Sequence, residues 1–134
     1  FEEIRRRVDA CLAMVGMKGL EKRAPHTLSG GEKRLLSIAG VVAMNPSYIA
    51  FDEPTAYLDP AGKQRVLSII RRLNREGMAI IHIAHEMRDV AEADRVVVMD
   101  RGQVLRIGTP AEVFGQVERL TAIGLDALPE GGGR

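Results

Sequence analysis

Two short apolar runs, Tyr48-Ile49-Ala50-Phe51 and the stretch from Met78 to Ala84, bracket a segment of quite different period. Between them Val66, Ile69, Ile70 and Leu73 recur at helical spacing, behind Asp59-Pro60, which reads as an N-cap with proline at the first helical position. Apolar runs without polar alternation are expected of strands buried on both faces. Strand, helix and strand in that order predict an α/β domain with a largely parallel sheet. Only two such strands and one hairpin can be read, fewer than a typical sheet contains, so the sheet reads as partial.

The flanks are mostly helical. Ile4, Val8, Leu12 and Val15 predict a first helix that ends at Gly16 and Gly19, with Cys11 as a small core residue. A second helix should begin at Ser29, bury Leu35, Ile38, Ala39 and Val42, and stop at Asn45-Pro46-Ser47. Beyond the second strand, Glu86 to Ala93 suits a short helix. Asp94 to Asp100 and Gln103 to Ile107 flank Arg101-Gly102 as a hairpin. Thr109-Pro110-Ala111-Glu112 caps a final helix continuing through Val113, Val117 and Leu120, and Gly131-Gly132-Gly133 is a tail.

Composition excludes several classes. Nineteen Lys+Arg against 18 Asp+Glu leave a net charge of +1, without the field that draws a basic protein onto nucleic acid. With no Trp, two Tyr and three Phe, stacking platforms for single strands are scarce, so no nucleic-acid partner is expected. Apolar runs such as Val41-Val42-Ala43-Met44 fall far short of the ~20 residues a membrane helix needs. One cysteine excludes an intrachain disulfide.

Three segments could carry chemistry. Asp52-Glu53 follows the first strand, and open α/β sheets bind ligands at the carboxyl ends of their strands. A metal ion on Asp52 would relieve the repulsion and leave Glu53 as a base toward water; two solvated turn carboxylates are the alternative. Ser29-Gly30-Gly31-Glu32 has the Ser-x-x-Glu capping pattern, which explains the serine and glutamate but not the two glycines. Glycines there leave N–H groups open to an anion, and a phosphate is the natural one. In Ile81-His82-Ile83-Ala84-His85-Glu86, His82 suits a hydrogen-bonded core position and His85 the strand's carboxyl end. The spacing His85 to Asp89 lacks the second histidine of a zinc-protease helix. Lys63, Arg65, Arg71, Arg72 and Arg75 read as a solvated helix face.

In this order the segments resemble the nucleotide-binding subunit of ATP-binding-cassette (ABC) transporters. Leu28-Ser29-Gly30-Gly31-Glu32 looks like the family signature, with Glu32 where glutamine is commoner. Tyr48 to Glu53 looks like the Walker B strand, Ala56-Tyr57-Leu58-Asp59 like the D-loop, and His85 falls at the switch histidine. Val113-Phe114, Val117 to Leu120 and Ile123-Gly124-Leu125 are similar to the energy-coupling-factor and cobalt-type importers, which take up vitamins or metal ions. A Walker A loop and a glutamine loop are absent; Gly62-Lys63 is the nearest approach to the former.

The resemblance thus implies the C-terminal half of a P-loop NTPase domain. Residues 1–47 would form the signature-bearing helical part, 48–114 the α/β core, and 115–134 a helix and tail. It implies ATP and Mg2+ as ligands, with Asp52 at the metal, Glu53 and His85 catalytic, and Ser29, Gly30, Gly31, Glu32 and Asp59 at the nucleotide. It further implies a second ATP-binding subunit and transmembrane subunits as partners, at the cytoplasmic face of the membrane. The 134-residue chain by itself is expected not to turn over ATP. A soluble ATPase of the same superfamily, and a non-catalytic module completing a partner's site, remain as alternative readings.

Overall fold

A computed structural model describes residues 1–115. Among them, four α-helices and four strands follow in the order α1 (Glu2–Met14), α2 (Gly30–Ala43), β1 (Tyr48–Asp52), α3 (Pro60–Arg75), β2 (Ala79–Ile83), β3 (Val96–Asp100), β4 (Gln103–Gly108) and α4 (Pro110–Phe114). Short 3-10 turns lie at Pro25–Thr27 and Met87–Val90. The chain divides into two compact units, Phe1–Ile81 and one beginning at His82.

In the first unit, α2 and α3 bury the stripes that their periodicity implies: Leu35, Ile38, Ala39 and Val42 from one, Val66, Ile69, Ile70 and Leu73 from the other. Leu12 and Val15 of the first helical segment, with Cys11, join the same core, as do Ile49 and Phe51 of β1. β1 pairs with β2, and α3 spans the connection between them. Asp59 caps α3 by accepting from Gly62 N–H at 3.1 Å. A Cβ on Gly62 would lie 2.7 Å from Asp59 Oδ1, so a side chain there would displace the capping carboxylate. Gly77, at φ +96°, ends the turn after α3.

Two expectations need correction here. The apolar stripe of α1 is buried only at its C-terminal end: Ile4 is 65% exposed and Val8 41%, because no described element covers them. β1 is not buried on both faces. Ile49 and Phe51 face the core while Tyr48, Ala50 and Asp52 are exposed, since the described helices pack on one side of the strand. β2 likewise leaves Ile81 and Ile83 exposed.

In the second unit β3 and β4 form the expected antiparallel hairpin, with a bulge at Val98/Met99. Its two-residue turn takes positive φ at both Arg101 (46°) and Gly102 (76°), the type I′ pattern that matches strand twist. Val98, Val113, Phe114 and Met87 make its small core. Only Met87–Val90 of the expected 86–93 helix forms, as a single 3-10 turn. Thr109 caps α4, which is described to Phe114; Val117, Leu120 and residues 118–125 of the resemblance lie outside the described residues.

His82 departs from the expected hydrogen-bonded core histidine. Its Nε2 is buried without a hydrogen-bond partner among the described residues. Burial pushes the imidazole below 6.5, and the Asp89 carboxylate opposes that shift. Of the basic face on α3, Arg72 closes an i,i+4 ion pair with Glu76 at 2.8 Å rather than standing alone in solvent.

Candidate functional site

The start of α2 and the loop leading into α3 open on one cleft of about 340 Å³. Its walls are Ser29, Gly30, Gly31 and Glu32 on one side, with Tyr57, Leu58, Asp59, Ala61, Gly62 and Arg65 on the other, and Leu35 between them. Five residues singled out for nucleotide contact, Ser29 to Glu32 and Asp59, therefore share one surface although the sequence separates them by 27 positions.

Ser29 sets the local geometry. At φ −64°, ψ 166° it is the non-helical N-cap, and its Oγ accepts from Glu32 N–H at 3.2 Å. Glu32 returns the bond, Oε2 accepting from Ser29 N–H at 2.8 Å. The Ser29 N–H and then its hydroxyl hold the Glu32 carboxylate below the usual carboxylate range, with Arg23 and Arg65 adding their field. Arg23 reaches Glu32 Oε1 at 3.6 Å.

The glycines between them have no such internal account. Neither takes a positive φ, and a Cβ built on either meets nothing within 4 Å among the described residues. Each costs the helix about 1 kcal/mol relative to alanine. Their N–H groups, in the first turn, are beyond the reach of intrahelical acceptors and point out of the helix start. Such a start can receive an anion whose own bulk leaves no room for a side chain.

The acidic pair stands elsewhere in the same unit. Asp52 is the exposed last residue of β1 and borders a second groove with Pro54, Tyr48 and the outer side of α2. Glu53 follows at φ +43°, a left-handed conformation that costs a non-glycine residue roughly 1–2 kcal/mol. The backbone turn is closed by Ala56 N–H to Glu53 O at 3.1 Å, and Thr55 and Pro54 are buried beneath it. Strain of this kind re-aims a side chain away from the strand's own alternation. An exposed terminal carboxylate suits Mg2+, which keeps most of its waters and takes one or two protein oxygens. Among the described residues no group of three His, Cys, Asp or Glu is arranged to cage a metal. His85 is exposed and belongs to the second unit.

Residues 3–56 match the family model described as ABC transporter. The cobalt import ATP-binding protein CbiO of Syntrophus aciditrophicus is 52% identical over 123 residues, covering 92% of this chain and 44% of that protein. An energy-coupling factor transporter ATP-binding protein, EcfA1 of Symbiobacterium thermophilum, is 52% identical over 128 residues, covering 95% of this chain and 45% of its own length. The chain belongs to the ABC transporter ATP-binding family. The solved structure of CbiO1 from Clostridium perfringens, part of the ABC transporter complex cbiONQ, superposes on 92% of it with a TM-score of 0.80 at 38% identity, and half of that chain is covered. This ABC chain thus spans less than half the length of the curated relatives it matches, and it is an α/β portion covering about half of a solved ATPase domain.

Two site features escape the sequence. Tyr57 takes φ +62° with its ring fully exposed at the cleft, and nothing in its neighbours signals a left-handed tyrosine. Arg65 reads as one of five solvated cations but lines the cleft. The usable signal was its spacing, four residues after Ala61 on the helix face that also carries the N-terminus of α3.

Proposed function

We propose that the full-length protein is the ATP-hydrolysing subunit of an ABC-type importer, taking up a vitamin or metal ion. The observation that carries this reading is the diglycine start of α2: it opens on a cleft shared with the Asp59 loop, and no contact or dihedral among the described residues calls for glycine there. Family membership supports it, and so do relatives named for cobalt import and for energy coupling. The likeness to a component of the cbiONQ complex supports transmembrane partners. The same reading puts the protein at the cytoplasmic face of the membrane beside those partners; no helix among the described residues is long and apolar enough to cross a membrane.

In this mechanism two ATP-binding subunits meet head to tail. The Ser29 hydroxyl and the N–H groups of Gly30 and Gly31 bind the γ-phosphate of the nucleotide held by the partner subunit. Asp59 links the two nucleotide sites across that contact. Asp52 would hold Mg2+, and the ion when bound would supply charge neutralisation to the phosphates. Glu53 orients the attacking water and accepts its proton, while His85 donates to the γ-phosphate. Both ends of the reaction therefore depend on closure of one subunit upon the other.

The test is hydrolysis of Mg-ATP by the full-length protein carrying Glu53→Gln. Turnover should fall at least ~10²-fold, the usual contribution of a positioned general base. Near-normal turnover would overturn the assignment.

A further inference from the structure

We propose that Arg65 is a phosphate-binding residue of the signature cleft, contacting the triphosphate that a second ATP-binding subunit presents there. The inference rests on the dimer reading above and adds to it a residue that no motif marks.

Charge and the donors already used single out this side chain. Three of the residues lining the cleft carry charge at neutral pH, and two of them, Glu32 and Asp59, are carboxylates. A triphosphate brought to that surface meets like charge unless cations offset it. Arg23 screens Glu32 at Oε1, 3.6 Å away, but does not line the cleft. Arg65 is the cation among the lining residues. It acts on Glu32 through its field, yet closes no ion pair among the described residues, so its guanidinium is available.

The hydrogen-bonding inventory points the same way. Ser29 N–H is taken by Glu32, Ser29 Oγ already accepts from Glu32 N–H, and Asp59 Oδ1 is taken by Gly62 N–H. On the α2 side what remains is the two glycine N–H groups, since the Ser29 hydroxyl also acts on the Glu32 carboxylate; on the other side the first-turn N–H of Ala61 and the Tyr57 hydroxyl stand beside Arg65. Of the donors on the α3 side of the cleft, the Arg65 guanidinium adds positive charge together with a planar pair of N–H bonds matched to phosphate oxygens. The backbone at Arg65 is fixed by its helix, where Ser68 hydroxyl donates to Arg65 O at 2.7 Å. The side chain is exposed, so replacing it leaves the core intact.

The test measures dimerisation of the full-length protein driven by Mg2+ and a non-hydrolysable ATP analogue, followed by analytical ultracentrifugation. Arg65→Ala should raise the analogue concentration at half-dimerisation about tenfold, the loss expected for one charge-assisted pair, and flatten its dependence on salt. Arg65→Glu should abolish dimerisation. An unchanged midpoint and unchanged salt dependence for both variants would overturn the proposal. Gly31→Asp separates the two layers of the argument. If it blocks dimerisation while both Arg65 variants do not, the Arg65 assignment alone fails. If Gly31→Asp also dimerises normally, the reading beneath it fails.

Discussion

The helices α2 and α4 begin with the same device and then diverge. At Ser29/Glu32 and at Thr109/Glu112 the hydroxyl caps the helix and the glutamate reaches back to the cap's own N–H, at 2.8 Å in both cases. The cap dihedrals are close too, φ −64°, ψ 166° against φ −69°, ψ 158°. Between cap and glutamate, however, α4 has Pro110-Ala111 and α2 has Gly30-Gly31. Proline at the first helical position and alanine at the second are what a stable helix start favours. The glycine pair is the worst choice short of an internal proline. Two like caps with opposite first turns separate what folding asks of a helix start from what it does not: the cap belongs to folding, while nothing among the described residues calls for the glycines.

The largest effect on stability should come from moving the α2 solution into α4. Pro110→Gly with Ala111→Gly keeps the cap and should lower stability by up to about 2 kcal/mol, read as a drop in the urea midpoint. No change would show that the first turn of a capped helix tolerates glycine freely, and the contrast with α2 would lose its meaning.

A smaller effect sharpens the similarity of the two caps. Glu32 and Glu112 are both held below the carboxylate value of 4.5, in each case first by the cap's N–H and then by its hydroxyl. The unfolded chain therefore binds more protons than the folded one in the window below 4.5. Their stabilisation is fully present above that pH and is lost as pH falls through the depressed folded values. Melting temperatures followed from pH 6 to pH 3 should decline more steeply in the parent than in a Glu32→Gln, Glu112→Gln variant. Equal slopes would mean that the glutamates contribute nothing through their charge.

How much of this was legible follows from which forces are local. The caps at Ser29, Asp59 and Thr109, the stripes of α2 and α3 and the Arg101-Gly102 turn were readable, because each is decided by residues within a few positions of one another. The exposure of Ile4 and Val8, and the open face at Tyr48 and Ala50, were not, because period tells which side of an element is apolar and not whether anything covers it. Likewise the glycine anomaly at α2 was visible in the sequence, while the cleft wall formed by Tyr57 and Arg65 was not. That wall exists only once α2 and α3 pack, which brings positions far apart in the chain to one surface.

The most direct measurement exchanges the first turns the other way. Gly30→Pro with Gly31→Ala gives α2 the first turn of α4; the extended Ser29 backbone accepts a following proline, and nothing among the described residues comes within 4 Å of where the new Cβ atoms would go. In the full-length protein this variant should unfold at a higher urea concentration than the parent and hydrolyse Mg-ATP at least ~10²-fold more slowly, the scale seen when one donor to a developing anion is removed. Raised stability with hydrolysis intact would contradict the claim that those two glycines face another subunit's nucleotide.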